Sequence, residues 1–272
     1  MKIDLNDKVT RVVVQEYVNA LINFHNTGEL DFDTHKLIHT FKVVETAQKL
    51  IDLTKPALPQ KLKKQILNAA VLHDIGRCYE YGNGKQRKHF DHGQMGGALI
   101  RKYFPKLTVE ALATQYHNKM PGENDPIMAQ PVLDYTRDAD MLGNLIYNTE
   151  HMPQFLVHIL QQYPKTDTGL IINDEIVRSA KEHRVCHYHQ MSKFDFLDMM
   201  VAQLNWIFNL RTPAAFILAK KEKLFSRYRE ILIREVLPVV PGSASQRRKT
   251  AKEIMELFPD TLFAKELKKH GV

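Results

Sequence analysis

Residues 68–77 read Asn-Ala-Ala-Val-Leu-His-Asp-Ile-Gly-Arg, and the interpretation of this chain starts from the His73-Asp74 pair within them. Apolar side chains recur at helical spacing before the pair, which predicts a helix over about residues 59–74. Gly76 is predicted to end that helix in the left-handed conformation. With 13 His and 16 Asp in 272 residues, about one His-Asp pair is expected by chance, so the accompanying residues decide its meaning.

Further histidines and aspartates accompany the pair. His39 lies in a predicted helix upstream, and His92 and His117 follow downstream. Residues 137–140 read Arg-Asp-Ala-Asp, and their two aspartates stand about 200° apart on a helix, so periodicity does not choose between them. Neutral imidazoles and carboxylates hold borderline divalent ions such as Mn, Fe, Ni, Co or Zn, whereas a closed structural zinc site usually includes cysteine. The set predicts a site for one or two divalent ions, which the two oxygens of Asp74 can bridge.

Helical periodicity covers nearly the whole sequence and predicts an all-α fold class. One helix is expected to start at Asp33 or Thr34, one after a Ser192 cap and one at Thr212-Pro213. The expected helical ranges are 8–26, 59–74, 92–104, 108–117, 126–147, 153–162, 174–184 and 192–210. Residues 169–174 are the only candidate strand.

The domain organisation is expected to be simple. Residues 1–240 are predicted to form one helical domain, and residues 241–272 a short helical tail. Pro238–Ser245 has the composition of the linker between them, and residues 78–91 have that of a loop.

Composition is that of an ordinary soluble protein, with 44% hydrophobic and 25% charged residues. The two cysteines give no disulfide framework, no apolar run is long enough to span a membrane, and acids occupy the N-terminus, so a cytoplasmic location is expected. The net charge of +7 is dispersed, which favours a solvated basic surface, although an anionic partner would also explain it. Nucleic acid is not indicated, because the basic residues are not interleaved with aromatic ones. The sequence predicts no oligomeric state.

The motifs together resemble those of the HD superfamily of metal-dependent phosphohydrolases, whose signature is a helical His, then His-Asp, then a later Asp. The likeness extends over about residues 33–235 and is strongest at residues 73–77, 91–97, 117–119 and 137–140. It implies an HD-domain helical bundle with extra C-terminal helices. A bacterial group of HD proteins carries the pattern His-Asp-Ile-Gly-Arg-Phe-Glu-Gln. Here Cys78, Tyr79 and Glu80 replace its last three residues, so the roles of those positions are open.

The resemblance also implies a ligand set. The first ion would be held by four residues, His39, His73, Asp74 and Asp140. A second ion would be held by His92 and His117, with Asp74 as the bridge. The family pattern Ala-Asp-x-Leu selects Asp140, which leaves Asp138 as a supporting partner.

Several alternatives stay open at this point. His35 lies one turn before His39 and is a rival ligand. His92 and His117 would contact phosphate instead of metal in a one-ion site. A second group further along the chain has no established metal-site spacing, and we interpret it as an exposed surface: His183, Cys186, His187 and His189. Cys78 is expected to be a packed thiol.

The expected activity is metal-assisted hydrolysis of a phosphomonoester, phosphodiester or nucleotide. Asp74 would orient the nucleophile, and Arg77 and Lys119 are candidate phosphate anchors, because a cation close behind a metal ligand can face the same pocket. Lys85 and Arg87 are further candidates, for which a solvated surface role is favoured. Two other functions remain: a di-iron oxygenase of the inositol oxygenase kind, and a nucleotide-binding sensor without turnover.

Replacement of Asp74 by Ala is expected to remove essentially all metal and activity, since it deletes a shared ligand. Elemental analysis of the purified variant checks this, and full metal occupancy would contradict the central hypothesis. His183→Ala and His187→Ala serve as controls and are expected to leave activity unchanged.

Overall fold

The computed structural model describes residues 7–27, 34–79, 91–119, 125–162, 170–186 and 195–271. All regular secondary structure in these ranges is helical, which confirms the all-α fold class. The chain divides into two compact units, residues 1–144 and 145–272. The sequence-based division after residue 240 stays a prediction. No helix within the described ranges has both the length and the apolar character that crossing a bilayer requires.

Within the described residues, the first unit contains five α-helices and the first part of a sixth. Short 3-10 turns lie at Ile75–Tyr79 and Ile127–Ala129. The helices are α1 (Lys8–Thr27), α2 (Thr34–Leu53), α3 (Gln60–Leu72), α4 (His92–Tyr103), α5 (Thr108–Tyr116) and α6 (Gln130–Gln162), of which α6 continues into the second unit. The sequence predicted two helices, 126–147 and 153–162. The structure confirms this division, because the run labelled α6 consists of two helices separated by a kink at His151 (φ −128°, ψ 22°), the first of which begins at Gln130.

A hydrophobic core holds this unit together where α1, the end of α3, α4 and the start of α5 meet. The amphipathic spacing of α1 turns Val9, Val13 and Tyr17 toward it. Its other buried members are Ala20, Val71, Leu72, Ile75, Leu99, Ile100, Phe104 and Ala111. The core therefore fixes the turn that follows α3, and that turn contains His73 and Asp74.

Helices α2 and α6 pack closely along a second line of contact. A Cβ on Gly143 would lie 3.1 Å from Cγ2 of Val43, and the hydroxyls of Thr54 and Tyr135 are hydrogen-bonded at 2.6 Å. Because α2 carries His39 and α6 carries Asp140, this packing brings two predicted ligands from distant parts of the sequence together.

The prediction that Gly76 ends α3 in a left-handed conformation is wrong. The residue after α3, His73, is right-handed (φ −54°, ψ −41°), and Gly76 lies inside the 3-10 turn. Glycine is needed there for space, because a Cβ would lie 2.0 Å from the carbonyl oxygen of His92 and 2.8 Å from the nitrogen of Gly96. The missing side chain lets the first turn of α4 approach the His73-Asp74 turn.

Glycines also bring α4 against α5. A Cβ on Gly93 would lie 2.5 Å from Oδ1 of Asn118, and one on Gly96 would lie 2.8 Å from Cγ2 of Thr114. Asp91 caps α4, and its carboxylate accepts a hydrogen bond from the Gln94 backbone N–H at 3.0 Å. These contacts fix His92 at the start of α4, close to the end of α5.

The second unit contains the remaining helices, α7 (Asp174–Lys181), α8 (Phe196–Ala202), α9 (Pro213–Lys221), α10 (Leu224–Ile231), α11 (Ala244–Leu257) and α12 (Asp260–Lys269). Thr212 caps α9 and Pro213 follows it, as predicted. Ser192 lies outside the described residues, and the helix predicted to follow it begins at Phe196 with an Asp195 cap, so Ser192 is not its cap. A 3-10 stretch, Gln203–Asn209, replaces the second half of that predicted helix.

The candidate strand at residues 169–174 is also wrong within its described part. Residues 171–173 have no regular structure, and Asn173 caps α7 by accepting a hydrogen bond from the Glu175 backbone N–H at 2.9 Å. The capping side chain competes with extended pairing, which explains why a short apolar run here does not become a strand.

The C-terminal helical hairpin, α11 and α12, is attached to α10 through Arg229, which is buried. Its Nη1 donates to the carbonyl oxygen of Phe258 at 2.7 Å, and its Nη2 lies 3.1 Å from the Asp260 carboxylate. A buried arginine needs such partners, since its guanidinium stays charged.

Gly76→Ala is expected to lower the free energy of unfolding by about 3 kcal/mol, because the new methyl meets backbone atoms that cannot rotate away. Gly143→Ala is the matched control. Its methyl would lie 3.1 Å from Cγ2 and 3.3 Å from Cα of Val43, a milder overlap than at Gly76, and the helix propensity of Ala over Gly returns about 1 kcal/mol, so its loss of stability is expected to be smaller. Urea denaturation compares the two variants. Equal small losses would show that the approach of α4 to Gly76 is not tight.

Candidate metal centre

Two groups of potential metal ligands meet at one carboxylate in the first unit. His39, His73 and Asp74 form one group, and Asp74, His92 and His117 form the other. Within each group one ligand atom from every residue lies within 4.8 Å of the others. Distances from the Asp74 oxygens to the histidine Nε2 atoms are 3.9 Å for His39, 3.6 Å for His73, 3.4 Å for His92 and 3.7 Å for His117. All four imidazoles thus present the same ring nitrogen to the shared carboxylate.

Asp140 adds a second carboxylate on the side of His39. Its Oδ1 lies 3.1 Å from Nε2 of His39 and 3.7 Å from Nε2 of His73. Asp138 is completely buried two residues earlier on α6. Helical periodicity did not choose between Asp138 and Asp140 as the ligand. These distances favour Asp140.

The orientation of two imidazoles is set by backbone carbonyls of their own helices. Nδ1 of His73 donates to the carbonyl oxygen of Ala70 at 2.8 Å, and Nδ1 of His117 donates to that of Thr114 at 2.7 Å. A hydrogen at Nδ1 leaves the lone pair on Nε2, which is the tautomer that a metal ligand needs. Both residues follow directly after a helix, so carbonyls without an intrahelical partner are available there.

The donor set fits a divalent cation on observations other than sequence pattern. Nε2 of His92, which faces Asp74, is buried without a hydrogen-bond partner, and such orphaned atoms are rare in folded proteins. Burial lowers the pKa of His73 to about 4, and burial together with the Arg77 charge lowers the pKa of His92 to about 2. Both rings are therefore neutral at physiological pH, as metal ligation requires.

The two carboxylates stay ionised for electrostatic reasons. Burial raises the pKa of Asp74, but the Arg77 guanidinium, followed by His73, His117 and Lys36, holds it well below its usual range. Burial likewise opposes ionisation of Asp140, but the hydrogen bond with His39 and the electrostatic interactions with His73 and His39 together outweigh it, so that the pKa of Asp140 is also lowered. The cluster thus combines neutral nitrogen donors with anionic oxygen donors.

Two cations contact the shared carboxylate. Nε of Arg77 donates to Oδ1 of Asp74 at 2.9 Å, and Nζ of Lys36 lies 3.9 Å from Oδ2. The sequence predicted Arg77 as a site residue but missed Lys36. The signal that could have found it is its position three residues before His39, which places both side chains on one face of α2.

Lys119, the other predicted anchor, lies on the His92 side of the site. Its Nζ is 3.6 Å from Oδ2 of Asp91 and 4.9 Å from the centre of the Tyr116 ring. Asn118 also donates to Asp91, at 3.1 Å. Lys119 therefore stands beside the cap of α4 rather than beside the shared carboxylate.

Of the positions that depart from the bacterial HD pattern, Tyr79 contacts α1, and Glu80 lies outside the described residues. The Tyr79 hydroxyl donates to Glu16 at 2.8 Å, and Tyr103 donates to the same carboxylate at 3.0 Å. Burial, together with Glu16 and Asp74, raises the pKa of the Cys78 thiol, and Cys78 packs against the core. It is a packed thiol, as expected, rather than a nucleophile.

Several alternatives that the sequence left open fall on residues that the structure does not describe. The side chain of His35 and residues Lys85, Arg87, His187 and His189 lie outside the described residues. His183 is exposed, with its ring stacked on Phe208, and burial raises the pKa of the Cys186 thiol to about 11.

The site is a buried His/Asp cluster that could hold metal ions on a helical scaffold. Residues 37–184, more than half of the chain, match the HD domain family, and all six residues of the predicted ligand set lie within the match. The chain therefore belongs to the HD domain family. No curated protein and no solved structure is significantly similar to it. Membership of the bacterial group with the longer motif stays a prediction.

His92→Ala and His117→Ala are each expected to reduce the metal content from two ions to one under saturating Mn, because the first ion keeps His39, His73, Asp74 and Asp140. Turnover should fall heavily, since half of the charge that polarises the nucleophile is lost. Metal stoichiometry of the variants and the parent protein decides the matter. Unchanged stoichiometry with a raised Michaelis constant would mean that these histidines contact phosphate instead.

Proposed function

We propose that this protein is a metal-dependent phosphohydrolase that acts on a phosphomonoester, phosphodiester or nucleotide. The observation that carries the proposal is the junction of two His/Asp groups at Asp74, with Arg77 and Lys36 against the same carboxylate. HD domains are commonly found in hydrolases that use divalent metals, which adds support from the family.

The proposed ligands divide at Asp74. His39, His73, Asp74 and Asp140 would hold one ion, and a second would share Asp74 with His92 and His117. The donor types suit Mn, Fe, Ni, Co or Zn. When bound, such ions supply an activated water near neutral pH and positive charge for the phosphoryl oxygens.

The chain's own residues prepare the site for an anionic substrate. Asp74 is 3% exposed, whereas Lys36, Arg77 and Asp140 are each about a quarter exposed (25%, 23% and 26%). We propose that a phosphate group approaches the buried carboxylate from the side of these three more exposed residues. Charged nitrogen donors there match the oxygens of a phosphate, and the bond to Asp74 orients the Arg77 guanidinium before the substrate arrives.

Lys119 is proposed as an outer anchor of the substrate. Its place beside the cap of α4, away from Asp74, suits a contact with the part of the substrate beyond the scissile phosphate. An anionic leaving group, such as the remaining phosphate of a nucleotide, would be stabilised by its charge.

The proposal is tested by elemental analysis of the purified protein, followed by assays with Mn, Ni or Co. The substrates are p-nitrophenyl phosphate, bis-p-nitrophenyl phosphate and a set of nucleotides. Hydrolysis that depends on the added ion is the expected result. Iron content with oxygen consumption would instead indicate the oxygenase, and tight nucleotide binding without turnover would indicate a sensor.

Lys36→Ala is expected to raise the Michaelis constant about tenfold or more without changing metal content, since a hydrogen bond to a charged group contributes about 1.5–3 kcal/mol. Lys119→Ala should have a smaller effect. Lys106→Ala, an exposed lysine in the turn after α4, is the matched control. Steady-state kinetics with metal analysis checks all three, and a Lys36 variant with parental kinetics would contradict its role in substrate binding.

A further inference from the structure

Arg137 on α6 is a buried arginine at 3% exposure, three residues before Asp140. Its guanidinium lies within hydrogen-bond distance of four acceptor atoms, three of which share the two N–H groups of Nη2. Nη1 and Nη2 donate to the two carboxylate oxygens of Asp125 at 2.5 and 2.9 Å. Nη2 also donates to the carbonyl oxygens of Tyr116 at 2.9 Å and Lys119 at 3.0 Å.

The two carbonyls lie on either side of His117. Tyr116 is the last residue of α5, and Lys119 closes the following turn with its own N–H donated to the Tyr116 oxygen at 3.1 Å. Carbonyls at a helix C-terminus have no intrahelical partner, and a cation there is favoured by the helix dipole. Arg137 therefore holds the backbone of the turn that carries His117.

The same helix supplies a member of the other half of the site. Asp140 follows Arg137 by about 4.5 Å along the axis of α6 and contacts His39. His39 lies on the Oδ2 side of Asp74, whereas His117 lies on the Oδ1 side. Asp125 by itself would satisfy the charge of Arg137. The bonds to the two carbonyls are additional, and they connect α6 to the turn around His117.

We propose that Arg137 is a positioning residue that fixes His117 relative to the rest of the metal centre. It acts through the Tyr116 and Lys119 carbonyls. The inference rests on the proposed two-ion site, in which His117 is a ligand of the second ion. Loss of the Arg137 hydrogen bonds to these two carbonyls, called the Arg137 clamp below, should lower the affinity for the second ion and leave the first ion bound.

Arg137→Lys is the informative variant. Lysine keeps the charge, but one nitrogen cannot reproduce the planar fork that serves Asp125 and both carbonyls at once. Arg137→Ala is unsuitable, because it would leave the Asp125 carboxylate without its partner and unfold the unit. Asp125→Asn is a second variant that removes the ion pair but keeps both carbonyl bonds, so its effect should be smaller. Arg101→Lys is the matched control, since Arg101 is exposed and contacts α5 through the Gln115 side chain rather than through the backbone.

The first measurement is the affinity for Mn²⁺ alone, taken by calorimetry for the parent protein, Arg137→Lys, His117→Ala, His39→Ala and the two double variants. Arg137→Lys is expected to lower the affinity for the second ion about tenfold or more, which is within the range for groups that orient a ligand. The affinity for the first ion should change less than twofold. It should add nothing in the His117→Ala background and keep its full effect in the His39→Ala background. Equal effects in both backgrounds, or none in either, would overturn the proposal.

The second measurement uses the metal-free protein. Long-range ¹H–¹⁵N spectra of the imidazoles should show the His117 resonances shifted or broadened in Arg137→Lys, with those of His39 unchanged. The spectra test the role of Arg137 even when the parent protein binds no Mn²⁺. Absence of Mn²⁺ binding would contradict the proposed two-ion site but not the role of Arg137 in positioning His117. Unaltered His117 resonances would overturn the clamp whatever the metal binding shows.

Discussion

The carboxylate of Asp74 is almost completely buried, and a charge in that position is costly unless cations and hydrogen-bond donors surround it. Arg77 and Lys36 supply positive charge, and the Nε2 atoms of four histidines lie between 3.4 and 3.9 Å from its oxygens. Much of the first unit is arranged to bring these groups to one point. A divalent cation would complete the arrangement, since His73 and His117 donate from Nδ1 to backbone carbonyls and so turn lone pairs toward Asp74.

Close packing is the means by which distant parts of the sequence reach that carboxylate. Gly76 admits the start of α4, Gly93 and Gly96 bring α4 against α5, and the contact of Gly143 with Val43 brings α6 to α2. Arg137 then connects α6 to the end of α5. Each contact places one ligand, so the site depends on helix packing at least as much as on the ligands themselves.

The helix that precedes the family match has a role of its own. Residues 8–27 lie before the matched range, yet α1 contributes Tyr17 to the core and Glu16 to Tyr79 and Tyr103. Tyr79, which stands where the bacterial HD pattern has Glu, is therefore held by a helix outside the family match.

The sequence by itself determined the all-α class and most helix positions, because helical periodicity is a local property. Its resemblance to the HD superfamily implied the six residues that converge on the site. The sequence-based predictions failed at Gly76, at the Ser192 cap and at the strand near residue 171. At Gly76 a neighbouring helix decides the outcome, and at the other two positions the capping side chains of Asp195 and Asn173 decide it. Tertiary structure alone decided that Lys36 contacts Asp74 and that Arg137 holds the His117 turn. Each of these depends on distances between helices that are far apart in the sequence, and such distances are set by packing, which no local pattern encodes.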